Sequence, residues 1–338
     1  MANLHDYTSL RVGGPAKNFV EVGTESEIIA AIEAAGDSAV LIIGSGSNLL
    51  IADSGYEGTV IRISNNLCES EIDACSGATL TIGAGEDWDT FVATTIARGF
   101  AGLETLSGIP GTVGAAPIQN IGAYGHEVSE FITRVRTYDR TAKAIKTFTN
   151  AECEFEYRSS VFKRNPGRFV VLSVQFQIRI GEMSSPITYA ELAKKLGIAV
   201  GDKAPVIDTR KAVMELRASK GMLLNPDDRD SWSAGSFFTN PIISTDLAST
   251  LPESAPRWPL ANGRVKTSAA WLIENSGIDK GQSHGGARVS TKHVLALTNS
   301  GNATAEELVQ LAREVRSAVQ AKFGITLEAE VNLVGITL

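Results

Sequence analysis

The sequence predicts an α+β fold, with a two-lobed module up to about residue 180 and a region of different character after it. Two patterns support the first part. Short apolar segments are separated by glycine turns and helical stretches, and apolar residues alternate over 169–180 as in a strand. The second part contains polar, proline-containing passages and one long amphipathic helical pattern over 305–323. The 338 residues suffice for two or three domains.

Local signals place the elements of the first part in order. They predict strands over 18–22, 40–43, 49–51, 58–63, 79–85 and 169–180, helices over 24–36 and 87–98, and a hairpin over 134–149. The first helix begins at the capping box Thr24-Glu-Ser-Glu27 and stops at Gly36. The next strand, Val40–Ile43, is apolar throughout, so we expect it to be buried on both faces.

The second part contains fewer but equally clear signals. Short helices are expected after Thr188-Tyr-Ala-Glu-Leu192 and over 205–220. The capping box that starts at Thr304 begins the long helix, which Gly324 ends. The last segment alternates as a strand and places Glu330 on the face opposite to its apolar residues.

The stretch from 102 to 125 is the most unusual part of the chain. Between Gly108 and Gly125 there are five glycines and two prolines but no charged residue, unlike a solvated linker. Glycine lets the backbone approach a ligand closely, and loop N–H groups can bind phosphates or a heteroaromatic ring. The stretch therefore predicts buried backbone against a cofactor; the alternative is the tight packing of two backbones.

A second glycine loop, Gly44-Ser-Gly-Ser-Asn48, follows a predicted strand directly. It lacks the lysine of a Walker loop, and it lacks the third glycine and the following helix of a Rossmann loop. Taken alone it could be a plain turn. Together with the stretch from 102 to 125, it predicts a second contact to one large cofactor.

Composition excludes several classes of protein. The net charge of −7 and pI near 5.3 argue against nucleic acid as a partner, and no apolar run approaches the length of a membrane span. The first residues lack the pattern of a signal peptide, and no obligate protein partner is indicated. Cys68, Cys75 and Cys153 follow no metal spacing and are expected to be reduced, and the scattered histidines predict no metal site.

Several residues could contribute to chemistry, each with an ordinary alternative. Lys220, Lys266 and Lys280 could contact phosphates, although solvated lysines are the commoner case. Ser236 precedes two aromatic residues, so its hydroxyl would be partly shielded; the alternative is a turn hydroxyl bonded to the backbone. Arg158 follows Tyr157, and the alternative is a surface ion pair with a nearby glutamate. Glu330 could equally lie on a solvated strand face.

Six segments in order resemble UDP-N-acetylenolpyruvoylglucosamine reductase, the flavoenzyme family known as MurB. They are Arg11–Pro15, Gly44–Leu50, Gly108–Gly125, Tyr157–Phe162, Ala234–Pro241 and Leu327–Val331. The resemblance covers nearly the whole chain, and the Tyr189 segment resembles the type I members, which have an extra tyrosine loop over the substrate.

The resemblance implies an FAD-binding module of the vanillyl-alcohol-oxidase type followed by a smaller α+β substrate domain. It implies non-covalent FAD, NADPH as co-substrate, and a cytoplasmic location. The implied reaction reduces UDP-N-acetylglucosamine enolpyruvate to UDP-N-acetylmuramate in peptidoglycan precursor synthesis. The implied divisions are an FAD lobe over 1–66, a second lobe over 67–212, a substrate domain over 213–322 and a C-terminal strand segment over 323–338.

The resemblance also assigns residues. Ser236 matches the proton donor, Arg158 the arginine that stabilises the enolate and Glu330 its partner glutamate. Tyr189, Lys220 and Asn240 match positions that hold the nucleotide-sugar. The implied FAD contacts are Gly44, Ser45, Gly46, Ser47, Asn48, Leu49, Gly108, Ile109, Pro110, Gly111, Gly114, Ala115, Gly122 and Gly125. Ala115 and Ala116 replace hydroxyl residues of some relatives, so only their backbone can contact FAD.

Three alternative functions remain. One is another FAD-dependent oxidoreductase of the same fold acting on an alcohol or hydroxy acid, which would need no proton donor such as Ser236. Another is a non-catalytic nucleotide-binding module. The third, a nicotinamide-dependent Rossmann dehydrogenase, is weakened by the missing third glycine.

Overall fold

The helices form largely where capping and periodicity predict them. The structure is a computed structural model that describes residues 2–36, 38–73 and 77–338. In these ranges the α-helices are α1 (Glu25–Ala35), α2 (Trp88–Ala97), α3 (Ala116–Gln119), α4 (Val161–Arg164), α5 (Ala190–Leu196), α6 (Val206–Ser219), α7 (Thr245–Ser249), α8 (Ala269–Glu274) and α9 (Ala305–Phe323).

The strands are short in most of the chain and longest in the first half. They are β1 (Ala16–Val22), β2 (Val40–Ile43), β3 (Leu49–Ile51), β4 (Tyr56–Ile63), β5 (Cys68–Asp73), β6 (Gly77–Gly83), β7 (Phe100–Ala101), β8 (Gly122–Ala123), β9 (His126–Glu127), β10 (Ile132–Asp139), β11 (Ala144–Thr149), β12 (Phe169–Ile180), β13 (Ser233–Ser236), β14 (Ile242–Ile243), β15 (Arg257–Pro259), β16 (Val265–Thr267), β17 (Ser283–His284), β18 (Ala287–Val289), β19 (Ala296–Asn299) and β20 (Asn332–Val334).

The described chain folds into two compact units. The first unit contains Ala16–Ser45 and Glu57–Ser219, and the second contains Ala2–Pro15, Gly46–Tyr56 and Lys220–Leu338. The predicted divisions after residues 66, 212 and 322 stay a prediction.

Among the described residues, the first unit contains three sheets and a main hydrophobic core, with a smaller apolar cluster that includes Leu192 and Val213. One sheet has the order β1-β4-β2, a second has the order β11-β10-β12-β6-β5 with β7 paired to β12, and in the third β8 pairs with β9. The rings of Trp88, Phe91 and Phe176 meet in the core, with centroids 5.0–6.1 Å apart. The predicted capping box of α1 and the predicted hairpin, β10 with β11, are both confirmed.

The second unit packs short sheets against one long helix. The sheets have the orders β13-β19-β18-β17 and β14-β16-β15, and β20 pairs in parallel with β3. The apolar stripe of α9 is fully buried at Leu308, Leu311 and Val315. Its predicted capping box forms, and the helix ends at Gly324 as predicted. Among the described residues, no helix has the length and apolarity that a membrane crossing needs.

Two sequence predictions about strands are wrong. Only Ile43 of β2 is buried, because β2 lies at the edge of its sheet and pairs with β4 alone among the described strands. The predicted final strand is mostly irregular: residues before β20 form an isolated bridge from Ala329 to Phe238 in place of a ladder. Cys68 and Cys153 are free thiols, whereas Cys75 lies outside the described residues.

Candidate functional site

The glycine-rich stretch lies within the first unit and is mostly buried. Its backbone joins the end of β6, because the Gly114 N–H donates to the Ala84 carbonyl at 2.9 Å. A Cβ on Gly114 would lie 2.5 Å from the Ala84 Cβ, so this glycine is required by protein packing. At Gly114, the structure therefore shows the alternative considered above, in which two backbones pack tightly against each other.

The Gly44–Asn48 loop connects β2 to β3 and passes from the first unit to the second between Ser45 and Gly46. Within the first unit, a Cβ on Gly44 would collide with the Thr112 side chain, so Gly44 lies against the glycine-rich stretch. Within the second unit, Gly46 has φ +63° and approaches the Tyr7 carbonyl too closely for any side chain.

Both glycine loops present main-chain donors. In the described part of the chain, the N–H groups of Ser45, Gly46 and Asn48 donate to no protein acceptor, nor do those of Gly111 and Thr112. Gly111 and Thr112 are buried residues, and buried amides are nearly always paired. Each loop, taken by itself, therefore fits the phosphates and ring edge of a dinucleotide such as FAD.

Arg158 is held against the glycine-rich stretch within the first unit. Its guanidinium donates to the carbonyls of Gly122 at 2.7 Å and Asn120 at 3.4 Å. Arg158 has a left-handed backbone, with φ +53°, which is uncommon for a residue with a side chain and concentrates at functional sites. Arg164, six residues further along the chain, pairs with Glu154 at 2.6 Å.

Ser236 ends β13 in the second unit, opposite Ala296 of β19. The next residues, Phe237 and Phe238, are each 1% exposed, and they fix the segment by packing. Ser236 itself is half-buried, and the part of the chain that the structure describes gives its hydroxyl no hydrogen-bond partner. The half-buried position fits the expected partial shielding of the hydroxyl, and the role of Ser236 in the site stays a prediction.

Glu330 is connected to the same segment by its backbone. Its N–H donates to the Phe237 carbonyl at 2.8 Å, and its carbonyl accepts from the Asn48 side chain at 3.3 Å. The second unit thus brings Glu330 next to the chain segment of Ser236, although 94 positions separate the two residues (330 − 236). Glu330 is half-buried, and its assignment to the site stays a prediction.

The predicted substrate residues occupy different settings. Tyr189 precedes α5 and meets Tyr124 of the glycine-rich stretch edge-on, with ring centroids 5.5 Å apart. The Asn240 side-chain oxygen accepts from the Ala269 N–H at 2.9 Å, at the start of α8. Lys220 is half-buried and directly follows α6.

Sequence reasoning missed several polar residues around the glycine-rich stretch. Asp89 accepts a hydrogen bond from the Gly108 N–H, and Arg217 donates to the Gly108 carbonyl. Burial raises the pKa of Tyr124 to about 12. The buried polar atoms without a partner in the described chain include three in the first unit: Glu104 Oε1, Thr105 Oγ1 and His126 Nε2. These residues follow no motif, so no sequence signal would have identified them.

Two family models match the chain. The model for an FAD binding domain matches residues 16–147. The model for the C-terminal domain of UDP-N-acetylenolpyruvoylglucosamine reductase matches residues 226–334. Among the described residues, no group of three or more His, Cys, Asp or Glu side chains could hold a metal ion.

Similar proteins cover the whole chain. The chain is 48% identical to UDP-N-acetylenolpyruvoylglucosamine reductase of Cutibacterium acnes, over 98% of this chain and 89% of that protein. It is 49% identical to the same enzyme of Thermobifida fusca, over 99% and 97%. The crystal structure of this reductase from Thermus caldophilus matches with a TM-score of 0.68 and 25% identity, covering 98% and 97%. The resemblance and the α+β FAD-binding fold predicted from the sequence are confirmed.

Proposed function

The chain belongs to the UDP-N-acetylenolpyruvoylglucosamine reductase family, and we propose that it reduces UDP-N-acetylglucosamine enolpyruvate to UDP-N-acetylmuramate. The enolpyruvyl ether contains a carbon–carbon double bond conjugated to a carboxylate. A hydride added to the terminal carbon leaves negative charge on the neighbouring carbon and its carboxylate. A proton added to that neighbouring carbon completes the lactyl ether.

FAD is the proposed cofactor, and NADPH the proposed co-substrate. The glycine loops would hold FAD through the N–H groups that donate to no described residue, including those of Ser45, Gly46 and Gly111. Bound FAD would supply the hydride that NADPH provides. The implied contacts from Gly108 to Gly125 would be made mainly by backbone, since Ala115 has no side-chain donor.

Arg158 is the proposed stabiliser of the negative charge. A guanidinium offers paired N–H donors to the planar enolate-like anion, and such charge-assisted bonds are the strong ones. The carbonyls of Gly122 and Asn120 fix the orientation of the Arg158 side chain before substrate binds. That orientation lowers the entropy lost in the transition state.

Ser236 is the proposed proton donor, and Glu330 the partner carboxylate. A donor must be shielded from bulk water yet keep its proton available to the substrate. The observation that carries this assignment is the half-buried Ser236 hydroxyl, which ends an ordered strand and has no partner among the described residues. Another flavin oxidoreductase acting on an alcohol would have no use for such a donor.

The half-reactions of a Ser236→Ala variant test the assignment. We expect NADPH to reduce the flavin at the wild-type rate, while reduction of the enolpyruvyl substrate slows about 10²–10⁴-fold. Ser233→Ala is the matched control, because Ser233 is on the same strand and, among the described residues, its hydroxyl accepts from the Gly235 N–H alone. Equal loss in both half-reactions, or an unchanged second half-reaction, would remove Ser236 from the donor role.

The proposed contacts to the nucleotide-sugar are Tyr189, Lys220 and Asn240. The proposed setting of the reaction is peptidoglycan precursor synthesis in the cytoplasm. Lys220 supplies a cation for the diphosphate. The Asn240 amide nitrogen can donate to the substrate while its oxygen anchors α8. Tyr189 is 44% exposed, which suits a side chain that closes over a ligand.

A further inference from the structure

Both backbone polar groups of Gly108 are bound by charged side chains. The Gly108 N–H donates to Asp89 Oδ1 at 2.6 Å, and its carbonyl accepts from Arg217 Nε at 3.0 Å. Asp89 lies in α2 and Arg217 in α6, and all three residues belong to the first unit. Gly108 opens the glycine-rich stretch, so this arrangement fixes the peptide groups on both sides of it.

A bidentate ion pair connects the two helices directly. Arg210 of α6 donates to Asp89 Oδ1 at 2.7 Å and to Oδ2 at 2.8 Å, and the side chains are 21% and 28% exposed. Such paired bonds combine strength with a fixed geometry. Burial alone would raise the pKa of Asp89, but hydrogen bonds from Arg210 and Gly108, with the charge of Arg217, hold that pKa below its ordinary value.

The arrangement leaves other donors of the same loop unused. The N–H groups of Ile109 and of Gly111, three residues after Gly108, donate to no residue in the described part of the chain. The Ile109 N–H belongs to the same peptide as the Gly108 carbonyl, so its direction depends on the peptide plane that Arg217 holds. A loop held in its binding conformation loses less conformational entropy when it binds a ligand.

We propose that Asp89, Arg210 and Arg217 are positioning residues for the FAD loop, so that FAD affinity depends on the ion pair that holds Gly108. The proposal rests on the proposed function, since it takes FAD as the ligand of Gly108–Gly111. It extends that function by making α6 part of the cofactor site. Because α5 packs on α6 and Tyr189 precedes α5, the substrate segment and the FAD loop share one support.

Asp89→Asn is the direct test, measured as the dissociation constant for FAD added to the flavin-free chain. Asparagine preserves the shape of the side chain but removes the charge that pairs with Arg210 and one of the two oxygens that accept from Arg210 and the Gly108 N–H. We expect FAD binding to weaken about 10- to 100-fold. Hydrogen exchange at the Gly108 amide should accelerate in the flavin-free variant while exchange in β12 stays at the wild-type rate, whereas a loss of overall stability would accelerate both.

Glu25→Gln is the matched control. Glu25 forms the same bidentate pair with Arg136, at 2.9 and 3.0 Å, in the same unit but away from the glycine-rich stretch. Its loss should change FAD affinity by no more than about twofold. If Asp89→Asn does not fold, Arg210→Gln takes its place, because it breaks the same pair from the other side.

The outcomes separate this inference from the proposed function. Weakened FAD binding in Asp89→Asn, with Glu25→Gln near wild type, supports the inference. Equal affinities in Asp89→Asn and Glu25→Gln would overturn it while leaving the function intact. A wild-type chain that binds no FAD would overturn the proposed function and the inference together.

Discussion

The Gly108–Gly125 stretch and the Ser236–Phe238 segment are held in place by opposite means. The first keeps its path through missing side chains: Gly114 lies against Ala84 where a Cβ would not fit. The second keeps its path through large buried side chains, since Phe237 and Phe238 are each 1% exposed. The first region offers main-chain N–H groups to a ligand, and the second offers the single hydroxyl of Ser236.

The difference separates two ways of building a binding surface. A backbone surface is suited to a large cofactor, because successive main-chain N–H groups can together bind its phosphates. A single proton donor needs one side chain at one place, and neighbouring packing is the way to fix it. Substitutions should therefore destabilise the two regions in different ways: by adding a side chain in the first and by removing one in the second.

Removing the aromatic anchor should have the largest effect on stability. Phe237→Ala leaves a cavity in the second unit and should destabilise it by about 3–5 kcal/mol, measured by urea unfolding. Phe237→Leu fills most of the same volume and should lower the unfolding free energy clearly less than Phe237→Ala does. If both variants unfolded at the same urea concentration, packing would not be what fixes the segment before Thr239.

Adding one methyl group to the glycine-rich stretch should have an intermediate effect. Gly114→Ala forces a Cβ to within 2.5 Å of the Ala84 Cβ, and such overpacking costs about 1–3 kcal/mol in unfolding free energy. Gly23→Ala is the control, because the nearest atom to its added Cβ is 3.8 Å away, on the Glu27 side chain. Equal stability of the two variants would contradict the packing account of Gly114.

The smallest effect concerns the ionisation of Tyr124. Burial, with the nearby carboxylate of Glu191, raises the pKa of Tyr124 to about 12, so folding favours its neutral phenol. Its contribution to stability is complete below the ordinary tyrosine value of about 10 and is lost as pH rises towards 12. A titration of tyrosinate absorbance should lose one tyrosine's share of its late component in Tyr124→Phe, while Tyr138, whose pKa burial also raises, still titrates late. A late component of unchanged amplitude in Tyr124→Phe would contradict this assignment.

Much of the fold follows from local sequence signals. The capping boxes at Thr24 and Thr304 fix the starts of α1 and α9, because side chains within four residues satisfy the first N–H groups. The alternation over 169–180 predicts β12 with the observed bounds. Composition alone also indicates the buried glycine-rich stretch.

The remainder depends on distant pairs that no local pattern contains. Arg210 and Asp89 are 121 positions apart, and neither lies in a motif. The bond from Glu330 to Phe237 replaces the regular strand that alternation predicts. The exposure of Val40 and its neighbours depends on which strand lies at the edge of the sheet, which is set by topology.

The measurement that tests the central claim most directly is an anaerobic visible spectrum of the purified chain. It is taken alone, after NADPH, and again after UDP-N-acetylglucosamine enolpyruvate. We predict flavin bands that bleach with NADPH and return when the enolpyruvyl nucleotide is added. A chain that takes up no FAD, or a reduced flavin that the nucleotide does not reoxidise, would contradict the proposed function.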